Sequence, residues 1–303
     1  MKLRNTLMAV LSLSAVLALA SCGGETGTTS GSDASNTASS SAFDSSKDIT
    51  VVSREDGSGT RGAFIELFGI QEEDANGNTA DLTTEEAIIA NKTDVMLTNV
   101  AGDEYAIGYV SLASLNDSVK ALDIDGTEAT AENIKNGTYK VSRPFNIAYK
   151  DGLSDVAQDF IDFIMSADGQ AVCAEECVPI AEDAAPYAGS KPAGKIVVAG
   201  SSSVSPLMEK LKEAYLAVNP SAEIEIQTND STSGMNGAME GTCDIGMASR
   251  ELKDSESAVL TSQSIALDGI AVIVNSENPT DALTSENVKD IFTGTVTTWD
   301  AIA

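Results

Sequence analysis

Arg54, Asp56, Ser58, Gly59 and Thr60 lie within one short loop, and together their types suit the holding of an oxyanion. Serine and threonine hydroxyls donate hydrogen bonds, and an arginine adds a fixed positive charge. An ionised aspartate accepts but cannot donate, so it tests whether the anion carries a proton. Behind the loop, the β-branched run Ile49 to Val52 reads as a buried strand; ahead of it, Ala63, Phe64, Leu67 and Phe68 read as one face of a helix. A helix that opens on such a loop points free N–H groups, and the positive end of its dipole, at whatever lies in front. The loop lacks the Gly-Lys-Ser/Thr ending of a nucleotide P-loop, so nucleotides are not implied. The same residues also suit a capped strand-to-helix turn with solvated charges.

The whole composition narrows the chemistry further. A length of 303 residues predicts about two domains. The hydrophobic fraction of 42% is ample for globular cores. A net charge of −28 argues against nucleic acid or an anionic membrane surface as partner. With no histidine, Ser-His-Asp and Cys-His catalysis and histidine-ligated metal sites are excluded. No metal site or cofactor is expected.

Residues 1–21 read as an export segment, with Lys2 and Arg4 before an apolar run too short to anchor in a bilayer. The segment ends Leu19-Ala-Ser-Cys-Gly23, which resembles the lipobox of bacterial lipoproteins, in which the cysteine is lipidated; that implies lipidation of Cys22. An ordinary secretory signal cut near Ala20 or Ser21 is the alternative. Residues 22–47, rich in Gly, Ser and Thr, read as a flexible tether.

From Asp48 onward, strand and helix patterns alternate, which predicts an α/β class. Helices are expected at Thr83 to Ala90, Ala129 to Asn136, Asp155 to Ser166 and Asn287 to Phe292, with Asp168 and Gly169 ending or bending the third. Strands are expected at Tyr105 to Leu112, Val119 to Ile124, Arg143 to Tyr149, Lys195 to Val198, Glu223 to Gln227, Asp244 to Arg250 and Ile270 to Val274. Residues 182–194, with two prolines and two glycines, read as a linker. Beyond it stand two further Ser/Gly loops, at 199–206 and 229–237, each opening a helix.

Arg54-Glu-Asp-Gly-Ser-Gly-Thr60, Ala106-Ile-Gly-Tyr-Val-Ser111, Gly200-Ser-Ser-Ser-Val-Ser-Pro206, Ser231-Thr-Ser-Gly234 and Asp244-Ile-Gly-Met-Ala-Ser-Arg250 together resemble the phosphate-binding protein family of the bacterial ABC phosphate importer (PstS). The order differs from the usual one in that family, where the stretch like Lys195 to Ala303 comes first. A circular permutation accounts for this, with a truncated tandem copy or a fragment as the alternative. The resemblance implies a two-lobed periplasmic-binding-protein-like α/β fold with the ligand between the lobes. One lobe would comprise 48–146 and 270–303, the other 147–269. It implies phosphate ligands at Arg54, Asp56, Ser58, Gly59, Thr60, Ser202, Ser203, Thr232, Ser233 and Ser249. Ser249 takes a place that is acidic in some members, so the proton test would rest on Asp56. The implied protein is a monomeric, extracytoplasmic, lipid-anchored receptor that delivers inorganic phosphate to an ABC permease and is not an enzyme. A receptor for sulfate, molybdate or tungstate, or a phosphate sensor without a transport partner, are the other readings.

Cys173 and Cys177 are open to a local disulfide or to buried thiols, and Cys243 reads as a small core residue. Arg250 is read as approaching the cleft or as forming an ion pair, and Trp299 as core or hinge packing.

Overall fold

In the computed structural model, residues 43–73, 79–181 and 183–302 are described. Cys22, the export segment and most of the tether lie outside them. The β-branched strand Thr50–Arg54 is buried on both faces at Val51 and Val52. It pairs in parallel with Ala106–Ser111 on one side and Ile88–Ala90 on the other. Burial on both faces is what a parallel sheet covered by helices requires.

This strand belongs to a ten-stranded sheet. Across it run Ala222–Asn229, Gly194–Ser201, Ile245–Ala248, Ser142–Tyr149, Thr261–Asn275, Ala106–Ser111, Thr50–Arg54 and Ile88–Ala90. The 15-residue strand Thr261–Asn275 joins the two ends of the sheet. Its first part pairs antiparallel with Ser142–Tyr149, and its second, from Ile270, with Ala106–Ser111. Two apolar cores flank this crossing. One gathers Val51, Phe64, Tyr109, Ile273, Ile291 and Phe292; the other gathers Phe145, Phe160, Ile196, Leu207, Tyr215 and Met247. The fold is therefore the mixed α/β, two-lobed kind.

Several local expectations change. Thr83 to Ala90 does not form a helix; Ile88–Ala90 is an edge strand in register with Val52 to Arg54. Its β-branched isoleucines suit a strand, and the strand pairing outweighs the capping pattern before them. Helix Thr93–Ala101 was not expected: its N-cap position is Lys92, which makes no side-chain cap, and acidic Asp94 in the first turn is a weak start signal without one. Asp168 and Gly169 do not end a helix but lie in the first turn of a second one, Ala167–Cys173, capped by Ser166. A Cβ at Gly169 would fall 2.2 Å from Phe163 O, so that glycine permits close packing of consecutive helices. Strand Thr261–Asn275 begins nine residues before the expected Ile270, because its polar first part is held by pairing and not by apolar pattern.

The segment 183–194 is tied down. Tyr187 OH and Tyr215 OH donate to Asp159 Oδ2 at 2.5 and 2.7 Å, and Ser190 N donates to Asp159 Oδ1 at 2.9 Å. The described chain ends also meet. Ile49 N donates to Thr297 O at 2.7 Å and Asp300 N to Ser45 O at 2.8 Å. Trp299 packs in the core against Phe43 and donates from Nε1 to Tyr105 O at 3.2 Å. The three described cysteines, Cys173, Cys177 and Cys243, are buried free thiols. Burial pushes the thiol of Cys173 up to about 12 and that of Cys243 to about 11.

Candidate functional site

The packing of the first core sets the position of Arg54. The Phe64 ring stacks on Tyr109 at 3.9 Å, and Tyr109 OH accepts from Arg54 N at 3.1 Å. Burial pushes the Tyr109 hydroxyl up to about 12, so it stays a neutral hydrogen-bonding group at physiological pH. The Arg54 side chain is buried. It forks onto Glu55 with two contacts of 2.8 Å and turns Nη2 to Ser202 Oγ at 3.0 Å.

From Ser202 a net of hydroxyls spreads across both lobes. Thr93 Oγ1 lies 3.1 Å from Ser202 Oγ and 3.4 Å from Ser203 Oγ. Thr60 Oγ1 lies 2.8 Å from Ser203 Oγ and 3.2 Å from Ser249 Oγ. Ser201 Oγ donates to Ser249 Oγ at 2.9 Å, and Ser231 Oγ accepts from Ser249 N at 3.1 Å. All of these side chains are buried. Gly59 permits the approach, since a Cβ there would stand 2.4 Å from Ser231 Oγ and 2.9 Å from Ser249 Oγ.

Helices Gly59–Leu67, Thr93–Ala101, Ser205–Val218 and Ser231–Glu240 all begin at this cluster. Two come from each lobe, so partial positive charge converges on one point from both sides. Arg143 reaches it as well, donating from Nη2 to Thr60 Oγ1 at 3.2 Å. Among the described residues, no carboxylate oxygen is hydrogen-bonded to a hydroxyl of the cluster. The arrangement offers donors and positive potential, which is the chemistry of an anion site.

Of the residues expected here, Arg54, Gly59, Thr60, Ser202, Ser203 and Ser249 are brought together. Ser58 stands beside them as the N-cap of its helix, its Oγ accepting from Arg61 N at 3.3 Å. Three others are placed elsewhere. The Asp56 side chain is 99% exposed and pairs with Arg61 Nη1 at 2.9 Å. It lines an outer cavity with Ser58, Arg61, Thr232 and Arg250, so it faces the lip of the cleft and not the hydroxyl cluster. Ser233 is exposed, and its Oγ donates to its own N-cap, Asp230 Oδ2, at 2.5 Å. Thr232 joins the lobes at the lip, with N and Oγ1 each 3.2 Å from Gly57 O. Arg250 is held by two contacts to Glu256, at 2.7 and 2.8 Å, and donates to Thr232 Oγ1 at 3.2 Å.

Thr93, Ser201, Ser231 and Arg143 also reach the hydroxyl cluster, and the sequence reading does not point to them. Ser201 and Ser231 lie inside the Ser/Gly motifs, each next to an expected ligand, Ser202 and Thr232. Thr93 sits at a helix start without a capping signal, and Arg143 sits in a strand with no loop motif around it.

The comparisons with known proteins agree with this architecture. Residues 33–168 and 185–302 match the family model of the PBP superfamily domain. Phosphate-binding protein PstS 2 of Streptococcus agalactiae is 52% identical over 257 residues, 84% of this chain and 88% of that protein. Phosphate-binding protein PstS 2 of Streptococcus pneumoniae is 45% identical over 268 residues, 88% of this chain and 92% of that protein. The crystal structure of a phosphate-binding protein of a phosphate ABC transporter from Streptococcus pneumoniae superposes with a TM-score of 0.67 at 46% identity, covering 84% of this chain and all of that one. On the family model and on identity over most of both chains, this chain belongs to the PBP superfamily and, within it, to the PstS family of phosphate-binding proteins.

Proposed function

We propose that this protein binds inorganic phosphate between its two lobes and delivers it to the permease of an ABC importer. It is a binding protein, not an enzyme. The observation that carries the reading is the buried hydroxyl cluster beside Arg54, built from both lobes at converging helix starts, in a chain of the PstS family. The ligand set is Arg54, Gly59, Thr60, Ser202, Ser203 and Ser249, joined by Thr93 and Ser231. Asp56, Thr232 and Ser233 serve the lip and the helix caps. Because the donors are short-range, a net charge of −28 does not repel the anion effectively beyond the ~8 Å screening length at physiological ionic strength.

Within the proposal, residues 1–21 are removed on export, Cys22 carries the lipid anchor, and the tether holds a monomeric receptor outside the cell membrane. The lobes divide near residues 146 and 269. The domain order is a circular permutation, consistent with alignment of the streptococcal relatives over 88% and 92% of their own lengths. The pairing of residues 45–49 with 297–300 supports it, since a chain reopened there would leave its ends adjacent.

A second reading, a receptor for another tetrahedral oxyanion, is favoured by the outward-facing Asp56 and by the hydroxyl of Ser249. A hydroxyl both donates and accepts, so it does not test the anion for a proton as a carboxylate does. Calorimetric titration of the purified protein with phosphate, sulfate and molybdate separates the two. Saturable one-to-one phosphate binding with clearly weaker sulfate binding is expected. Sulfate bound as tightly as phosphate supports the second reading, and binding of none of the three rejects both.

A further inference from the structure

Arg143 and Asp268 stand opposite each other, in register, where two strands cross between the lobes. Both are buried, at 4% and 1% exposure. The Asp268 carboxylate accepts from Ser111 Oγ at 2.7 Å, from Ala113 N at 3.1 Å, and from Arg143 Nη1. Arg143 Nη1 also donates to Gly269 O at 2.8 Å, and the guanidinium carbon lies 5.0 Å from the Phe145 ring centroid. One edge of the guanidinium is thereby clamped. Nη2 reaches the hydroxyl cluster, donating to Thr60 Oγ1 at 3.2 Å, and the buried Nε has no protein partner among the described residues.

A hydroxyl has one proton and two lone pairs. With a lone pair of Thr60 Oγ1 engaged by a cation, its proton is directed away from Arg143. On that side lie Ser203 Oγ at 2.8 Å and Ser249 Oγ at 3.2 Å, the middle of the cluster. We propose that Arg143 is a positioning residue of the anion site, committing the Thr60 hydroxyl to donate toward a bound tetrahedral oxyanion. The inference rests on the phosphate reading above. Because Arg143 and Asp268 occupy the strands shared by the lobes, the same contact links the crossing to the ligand.

The test measures phosphate affinity of the full chain by calorimetry in four forms: wild type, Thr60→Val, Arg143→Met with Asp268→Asn, and all three replacements together. Replacing both members of the pair avoids stranding a buried carboxylate. The wild type is expected to bind phosphate; failure there rejects the phosphate reading and this inference with it. The paired replacement is expected to weaken binding about 10- to 100-fold, the range of a charge-assisted hydrogen bond. The triple replacement is expected to bind within roughly threefold of Thr60→Val, because coupled residues are not additive. Wild-type affinity in the paired replacement, or a triple loss equal to the product of the separate losses, overturns the role given to Arg143. Arg143→Lys covers a paired replacement that fails to fold. A lysine ammonium lacks the fork needed to serve Asp268 and Thr60 together, so binding about 5- to 30-fold weaker is expected. Unchanged affinity in a folded Arg143→Lys protein rejects the proposal.

Discussion

A serine or threonine hydroxyl is neutral, and it both donates and accepts. A cluster of them can therefore close on itself and can equally turn its protons toward an anion. Ser202, Thr93, Ser203, Thr60, Ser249 and Ser231 form such a chain, with buried Arg54 bonded to Ser202 at one end and Arg143 to Thr60 in its middle. The two serines of the 231–234 motif are not equivalent. Ser231 is fully buried in the cluster, and Ser233 is turned to solvent on its own cap. Ser231→Ala is accordingly expected to weaken phosphate binding about 5- to 20-fold, the cost of a lost buried hydrogen bond, and Ser233→Ala to leave it nearly unchanged. Asp56→Asn is expected to change affinity less than about fivefold, as an exposed ion pair does. Titration calorimetry on the three variants checks the set; a large selective loss of sulfate discrimination in Asp56→Asn would return the proton test to Asp56.

At the scale of elements, the site is a meeting of helix starts, and how closely those starts approach sets its geometry. Gly59 is the first residue of its helix and faces Ser231 and Ser249 across the lobe boundary. In Gly59→Ala the added methyl would stand 2.4 Å from Ser231 Oγ and 2.9 Å from Ser249 Oγ, so the cluster hydroxyls or the approach of the lobes must shift. The backbone of a helix start tolerates alanine, so the fold should survive while phosphate binding weakens by more than about tenfold, a loss that overpacking readily produces. Small-angle scattering with and without phosphate checks this: the variant is expected to remain more extended than the wild type at saturating ligand. Gly57 and Thr232 add a lip contact that also depends on close approach, with Gly57 at a φ of +87°, where glycine is favoured.

Over the whole molecule, two large apolar cores are bridged by paired crossing strands, and the buried hydroxyl cluster joins loops from both sides of them. A ligand held by both lobes stabilises the closed arrangement in preference to an open one. Free phosphate at a hundredfold above its Kd should add about 2.7 kcal/mol to the stability of the native form. For a chain of this size that raises Tm by roughly 4–5 °C. Differential scanning calorimetry across a phosphate series checks the shift, and a Tm independent of phosphate would contradict binding to the native state.

Much of this was legible in the residues themselves. The strand–loop–helix around Arg54 and Thr60 shows in β-branched and apolar periodicity, and the serine loops show in composition, because those local features follow from backbone and side-chain preferences alone. Which hydroxyl of a loop faces the ligand does not follow from such preferences. Successive residues in a first helical turn point about 100° apart, so the docking of the helix on its sheet decides between Ser231 and Ser233. Thr93 lacked a capping signal, and Arg143 reads as an ordinary strand residue until Asp268, more than a hundred positions away, is paired beside it. The sequence by itself determined the α/β class and the Ser/Gly loops whose residue types suit an anion. Only the tertiary structure decided which hydroxyls converge and that Asp56 turns to solvent, since both depend on contacts between lobes distant along the chain.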